Sequence, residues 1–159
     1  MMKKWKKFAA LLLAGVMVLA LLTACGGGSS EDAQAEARAM SAINGKRTAS
    51  QRLDNNDQRK AVASQNIDYV AKNGFGPFSS DVKFMMDTDH IKEGQWGFTF
   101  VAKYDYQNTK LEDLIDKITA GNGTNIQQNY VDNWTDVGVV VKTVNGQTYI
   151  AISVAVAWK

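Results

Sequence analysis

The chain has 159 residues, 45% of them hydrophobic, and contains one Cys, one His and one Pro. This composition excludes an intrachain disulfide and leaves too few sulfur and nitrogen ligands for a typical zinc site, so we predict no bound metal and no cofactor. Beyond the first 24 residues, 14 basic residues stand against 16 acidic ones, a net charge of −2 that lacks the basic footprint of a nucleic-acid-binding protein.

The amino-terminal segment has the parts of an export signal. Met1–Lys7 is basic, and Phe8–Leu22 is an apolar run of 15 residues, shorter than the roughly 20 that a membrane-spanning helix needs. It ends in Leu22-Thr23-Ala24-Cys25-Gly26, which resembles the lipobox of bacterial lipoproteins. The resemblance implies cleavage before Cys25 and acylation of its sulfur. The alternative is an ordinary secretory signal that ends near a Cys.

The leader therefore divides the chain into three parts. We predict a signal peptide over residues 1–24, a lipidated Cys25 with a flexible tether over residues 25–32, and a single domain over residues 33–159. The acyl chains would anchor the protein on the extracytoplasmic face of a bacterial membrane.

The first half of the domain reads as helical. Ser29 and Ser30 can cap a helix whose first turn holds Glu31 and Asp32 and which continues over Ala33–Asn44, where Gly45 stops it. A second helix is predicted over Asp54–Asn73, closed by Gly74. Its apolar spacing predicts a core face made by Ala63, Ile67 and Val70, with Leu53 and Tyr69 beside it. The stretch Ser79–Glu93 shows no clear period and is predicted to be mostly loop.

An aromatic strand and a third helix follow. Aromatic and apolar residues alternate with smaller or polar ones over Trp96–Tyr106, which predicts a strand with one aromatic face. We expect that face to form a core against the second helix, although an aromatic row can also bind a flat ligand. Thr109 is predicted to cap a helix over Lys110–Thr119.

The last third predicts a β-hairpin. Asn145-Gly146 lies between two β-rich runs within Trp134–Lys159, the arrangement of a two-residue type I′ turn. That turn pairs Val144 with Gln147, Val141 with Ile150, Val139 with Ile152 and Val137 with Val154. Both faces of the hairpin are largely apolar, so we expect a central hairpin covered by helices on both faces.

The order helix, helix, strand, helix, hairpin resembles the CAP superfamily (cysteine-rich secretory, antigen 5 and pathogenesis-related proteins). Gly121-Asn122-Gly123-Thr124-Asn125-Ile126 is similar to the family's Gly-His-Arg-x-Asn-Ile stretch, and Trp134–Val139 to its aromatic-Thr-Glu-hydrophobic-Gly-Val stretch. Ile43-Asn44 and Leu53–Ala61 resemble parts of its first two helices. The resemblance spans about residues 35–158 and implies an α+β fold, a three-layer α-β-α sandwich with a small antiparallel sheet.

The departures from the family concern its site, which commonly holds a pair of His and a pair of acidic residues. Asn122 stands where the family has one His, Gly74–Ser80 contains no His, and no Glu lies between Glu93 and Glu112. The resemblance therefore implies a site without catalytic groups and a protein that is not an enzyme. We predict a degenerate cleft formed by Asn122, Asn125, Trp96, Phe98 and His90.

Three functions remain open. The first is a lipid-anchored, non-catalytic binding module for a small ligand, a peptide or an envelope component. The second is a hydrolase with a rearranged site around His90, which has Asp87 and Asp89 nearby. The third is a surface interaction protein that uses no cleft. For His90 we favour an exposed loop residue flanked by solvated carboxylates, and Asp87, Asp89 and Glu93 lack the spacing of a calcium loop.

Overall fold

The computed structural model describes residues 29–45, 47–77, 82–119 and 133–157. These ranges form an α+β fold of three α-helices and a four-stranded antiparallel sheet. The elements are α1 (Ser30–Gly45), α2 (Asp57–Asn73), β1 (Val82–Asp87), β2 (Gln95–Lys103), α3 (Leu111–Thr119), β3 (Trp134–Val144) and β4 (Gln147–Ala157), with a short 3₁₀ turn over Ala49–Gln51. No helix in these ranges is long and apolar enough to cross a bilayer.

The hairpin has the predicted turn and register. Asn145 and Gly146 both have positive φ, 51° and 80°, as a type I′ turn requires. Val144 pairs with Gln147 and Val139 with Ile152. The expectation of a central hairpin is wrong, because the strand order is β1-β2-β4-β3. Strand β2 pairs with β4 over its whole length, which leaves β3 at one edge of the sheet and β1 at the other.

Side-chain caps set the helix ends. At the start of α1, the backbone N–H of Asp32 donates to Ser29 Oγ (3.2 Å), and Asp32 Oδ2 accepts from the Ser29 N–H (3.0 Å). Helix α2 begins at Asp57 and not at Asp54, because Asn56 is its N-cap and accepts from the Arg59 N–H (3.0 Å). Gly74, with a φ of 76°, closes that helix as predicted.

Two hydrophobic clusters hold the helices against the sheet. One joins α2 residues Ala63, Ile67 and Val70 to Val101, Val140, Tyr149 and Ala151. The other joins α1 and α3 to a set of sheet residues that includes Phe98, Phe100, Val139 and Ile152. The aromatic face of β2 therefore packs against α1 and α3, and the prediction that it would face the second helix is wrong. Tyr69, predicted beside the core, is 55% exposed.

Strand β1 lies where the sequence predicted loop. It pairs antiparallel with β2 over six residues, from Val82↔Ala102 to Asp87↔Gly97. Val82, Phe84 and Met86 do alternate with other residues, but Met85 interrupts the apolar-polar pattern. The strand forms because it pairs with β2. Such pairing between two segments cannot be predicted from the periodicity of either segment alone.

Side chains cover the outer edge of β3. The Val139 N–H donates to Asn55 Oδ1 (2.7 Å), and Asn55 Nδ2 donates to the Val139 carbonyl (3.1 Å). The Asn56 N–H donates to the Val137 carbonyl (2.8 Å), and the Val141 N–H donates to Glu36 Oε1 (3.1 Å). The edge is thus satisfied without another strand.

Candidate functional site

An exposed group of apolar side chains lies at the β1 edge of the sheet. We call Phe84, Met86, Trp96 and Phe98 the aromatic surface. Phe84 is 39% exposed, Met86 59% and Trp96 40%, and buried Phe98 lies between them. Met86 pairs with Phe98, and Phe84 with Phe100, across the β1–β2 ladder. Large apolar side chains exposed singly are ordinary, but adjacent ones mark an interaction site.

The rings of the aromatic surface stack along the sheet. The Trp96 and Phe98 ring centroids are 6.3 Å apart with their planes 10° apart, and the Phe84 and Phe98 centroids are 5.4 Å apart. Phe84 also contacts Phe100, with centroids 5.3 Å apart. These separations are those of favourable aromatic pairs. The surface is therefore held in a defined shape before any ligand arrives.

The alternation of β1 and β2 keeps charge off this surface. Val82, Phe84 and Met86 share one face of the sheet with their β2 partners Ala102, Phe100 and Phe98, and all six are apolar. Lys83 and Asp87 point to the opposite face, toward α2. This face of the two strands therefore carries no titratable side chain.

The predicted cleft is only partly within the described residues. Trp96 and Phe98 lie together as expected, whereas Asn122 and Asn125 fall outside the described ranges, as does the predicted lipidation site Cys25. His90 lies in the turn between β1 and β2, exposed and with a φ of 55°. The structure thus brings together two of the five predicted cleft residues and adds Phe84 and Met86 to them.

A buried polar network occupies the opposite face of the sheet. Arg59 on α2 is 1% exposed and donates through Nη2 to Asp87 Oδ1 (2.8 Å) and to Ser153 Oγ. Its Nη1 donates to the Asp89 carbonyl (2.9 Å). Thr99 Oγ1 donates to Asp87 Oδ2 (2.9 Å). The prediction that solvated carboxylates flank His90 holds for exposed Asp89 but is wrong for Asp87, which pairs with Arg59.

The two hydroxyls of this network complete a ring of hydrogen bonds. Thr99 Oγ1 and Ser153 Oγ are 2.9 Å apart, and neither residue has any exposed surface. Each hydroxyl has a single proton, so Thr99 donates to Asp87 while Ser153 donates to Thr99. Both protons are used within the ring and neither oxygen meets solvent. The arrangement suits a structural role and leaves no accessible nucleophile there.

Space for the network comes from a missing side chain. A Cβ on Gly97 would lie 2.2 Å from Asp87 Oδ1 and 2.6 Å from the Asp87 carbonyl oxygen. Any larger residue at position 97 would displace the carboxylate from Arg59.

No hydrogen bond joins His90 to Asp87 or Asp89 in the described structure, and the described residues contain no cluster of three or more metal-ligating side chains.

A second concave region lies between α1 and the start of α2. This cleft has a volume of about 420 Å³, and Met40, Ala37 and Leu53 line it together with Glu36, Asn55 and Lys60. Several of its polar groups are already paired: Lys60 Nζ contacts Glu36 Oε2 (3.2 Å), and Asn55 pairs with Val139. The cleft is therefore a joint between the helices and the β3 edge, and the aromatic surface is the better candidate.

Three residues of the aromatic surface and the buried network differ from the sequence-based expectation. The sequence predicts a loop at Phe84 and Met86, although the spacing of Val82, Phe84 and Met86 is a weak strand signal. Arg59 lies four residues before Ala63, on the buried face of α2. That spacing could have shown that this one cation belongs to the core face.

The chain matches no protein-family model, no curated protein and no solved structure. The resemblance to the CAP superfamily therefore stays a prediction from the sequence.

Proposed function

We propose that the chain is a lipid-anchored, extracytoplasmic binding module with a CAP-like three-layer sandwich fold and no catalytic role. The two hydrophobic clusters on opposite faces of the sheet support that layer order. The lipobox-like Leu22–Gly26 supports the anchor. Helix α1 begins at Ser30, so residues 30–32 of the predicted tether belong to the domain, and the shortened tether would keep the domain near the membrane.

The aromatic surface is the observation that carries the binding role. Phe84, Met86 and Trp96 expose a continuous apolar area at one edge of the sheet, and aromatic residues and Met are enriched where proteins bind partners. The surface is open and not enclosed, which favours a peptide or an envelope component with an apolar face. A polar substrate would find no titratable group on this face of β1 and β2 to orient it.

Retention on immobilised ligands tests the binding role. The full chain in detergent is passed over a panel of apolar peptides and peptidoglycan fragments, and Trp96→Ala is compared with wild type. We expect the retention of Trp96→Ala to fall roughly tenfold or more, because a Trp side chain that becomes buried on binding commonly contributes about 2 kcal/mol or more to the binding free energy. Tyr69→Ala is the matched control, since Tyr69 is an exposed aromatic on α2, away from the surface. Equal losses in both variants would contradict the proposal.

Membrane fractionation tests the anchor separately. Cys25→Ala removes the predicted acylation site, so we expect the protein to move from the membrane to the soluble fraction. Gly27→Ala, two residues along the chain, should remain at the membrane. A Cys25→Ala protein that stays firmly membrane-bound would contradict lipid anchoring while leaving the binding test intact.

An activity assay addresses the hydrolase alternative. Esterase and protease substrates are offered to wild type and to His90→Ala, with and without zinc. We expect no hydrolysis by either protein, because Ser153 and Thr99 have no exposed surface and no hydrogen bond to His90. A hydrolysis rate in wild type that falls to background in His90→Ala would contradict the binding module and show that the chain is an enzyme.

A further inference from the structure

The two edges of the sheet differ in how their backbone groups are satisfied. At the β3 edge, Asn55, Asn56 and Glu36 bind the outward groups of Val137, Val139 and Val141. At the β1 edge, no strand or side-chain cap from the described residues binds the outward groups of Phe84 and Met86. An open edge is a template for another strand.

The pairing pattern identifies which β1 residues present their backbone at this edge. In an antiparallel sheet the N–H and C=O of one residue point to the same side, and successive residues alternate. Val139 and Val141 point outward from β3, so the even-numbered residues of β3 face β4. Val140 thus faces β4 and pairs with Ala151, so the next residue, Ile152, faces β2. Ile152 pairs with Phe100, so Thr99 faces β1. Thr99 pairs with Met85, which places the backbone groups of the odd residues of β1 toward β2.

Phe84 and Met86 therefore point their backbone N–H and C=O groups away from β2. No hydrogen bond within the described part of the chain reaches these groups. Their side chains are also the exposed apolar ones on β1. An incoming strand would gain backbone hydrogen bonds and cover apolar surface in the same step, which is the chemistry of strand addition.

We propose that the occupant of this edge is β1 of a second copy of the chain, paired antiparallel about a two-fold axis. The strand is complementary to itself in the register that places Met85 opposite Met85. Phe84 then faces Met86 of the second copy, and Lys83 faces its Asp87. Apolar residues directly across a ladder stabilise pairing, and the Asp87 carboxylate stays bound to Arg59. In this register the even-numbered residues of one β1 lie opposite the even-numbered residues of the other, so the outward N–H and C=O groups of the two strands can bond to each other.

The dimer continues each sheet into the other, giving a single sheet of eight strands, twice the four described. The aromatic surfaces of the two copies lie on the same face of that sheet and meet at the axis. A two-fold interface of this kind uses the same patch on both copies. The dimer rests on the β1 edge and not on the lipid anchor; it covers Phe84 and Met86 and leaves Trp96, the residue changed in the retention test, away from the axis.

Disulfide cross-linking of the full chain tests the register. Residues 85 of the two copies form a non-hydrogen-bonded pair, whose Cα atoms are about 4.5 Å apart, within the range a disulfide spans. Under mild oxidation, Met85→Cys should form a covalent dimer at least roughly tenfold more than Lys83→Cys, because the dimer holds the two thiols at an effective concentration near millimolar. Lys83→Cys is the matched control, since it faces Asp87 and not itself. Wild type reports any cross-link through Cys25, its only thiol.

Blocking the edge tests the dimer itself. Met86→Pro removes an outward N–H and leaves the β1–β2 ladder complete, a position where edge strands tolerate Pro. We expect wild type to elute with the mass of a dimer in light scattering and Met86→Pro with that of a monomer. A wild type that stays monomeric at about 0.1 mM, or equal cross-linking of Met85→Cys and Lys83→Cys, would overturn the proposal. Should Met86→Pro fail to fold, the cross-linking comparison still decides.

Discussion

The carboxamide of Asn55 makes both hydrogen bonds that a neighbouring strand would make with Val139. The Val139 N–H donates to Asn55 Oδ1 over 2.7 Å, and Asn55 Nδ2 donates to the Val139 carbonyl over 3.1 Å. Asn55 also forms an isolated parallel bridge with Val137. The Asn55 side chain thus takes the place of a neighbouring strand at Val139, directly before the Asn56 N-cap of α2.

Asn55→Ala is therefore expected to destabilise the fold. It leaves the N–H and C=O of Val139 without partners, and each unsatisfied buried group costs about 1–3 kcal/mol. Urea denaturation measures the free energy of unfolding. Asn73→Ala is the control, because exposed Asn73 only donates to the Tyr69 carbonyl at the end of α2, and its loss should stay within about 0.5 kcal/mol. Equal effects of the two substitutions would show that the edge cap is unimportant.

Removing Arg59 should cost more than removing any surface charge. Arg59→Met leaves Asp87, which is 10% exposed, without its cationic partner, and breaking a buried pair from one side costs about 3–5 kcal/mol. Lys142→Met breaks the Lys142–Asp68 pair instead, whose side chains are 37% and 56% exposed. Such exposed pairs contribute about 0–1 kcal/mol. Thermal or chemical denaturation that ranks the two variants equally would contradict the buried network.

The hairpin and α2 were predictable because their signals are local. Asn145-Gly146 requires positive φ at both residues, and that turn alone sets the pairing of Val139 with Ile152. Ala63, Ile67 and Val70 share a helix face by spacing, and they are buried. In both cases the residues that decide the structure are adjacent in the sequence or only a few residues apart.

What the sequence did not reveal depends on contacts between distant segments. Phe84 belongs to a strand only because β2 pairs with it. Arg59 lies on the core face of α2 by its spacing, but its charge is satisfied there only because Asp87 and Ser153 meet it from two other elements. Of the candidate site, the pair Trp96 and Phe98 was predictable from alternation. Their neighbours Phe84 and Met86 were not, since the aromatic surface is assembled across two strands.

Gly138 is expected to tolerate no side chain. A Cβ there would lie 2.3 Å from the Arg59 carbonyl carbon and 2.3 Å from the Lys60 nitrogen, so Gly138→Ala must push α2 away from β3. Overpacking of this kind costs about 1–3 kcal/mol or more. Gly45→Ala, at the end of α1, meets no atom within 4 Å and should be neutral or stabilise by up to about 1 kcal/mol. Melting temperatures that fall equally for both would rule out close packing at Gly138.

Tyr106 should make the fold sensitive to alkaline pH. Its hydroxyl donates to Asp32 Oδ1, while the other oxygen of that carboxylate caps α1. Desolvation raises the pKa of Tyr106 above its usual value of 10, and the hydrogen bond to Asp32 and the charge of Asp32 raise it further. A raised pKa in the folded state means that the stabilisation is complete below pH 10 and is lost as the pH rises through the folded-state pKa.

The absorbance difference between wild type and Tyr106→Phe isolates the titration of this one phenol. We expect its midpoint to lie above pH 10 in the folded protein and near 10 in urea, where the burial and the Asp32 partner are lost. Between pH 10 and the folded-state midpoint, wild type should lose stability faster than Tyr106→Phe, because only wild type must ionise a phenol beside a carboxylate. A midpoint that urea leaves unchanged would show that Asp32 and Tyr106 do not interact in solution, so that Tyr106, in the turn after β2, would not contribute to the cap of α1.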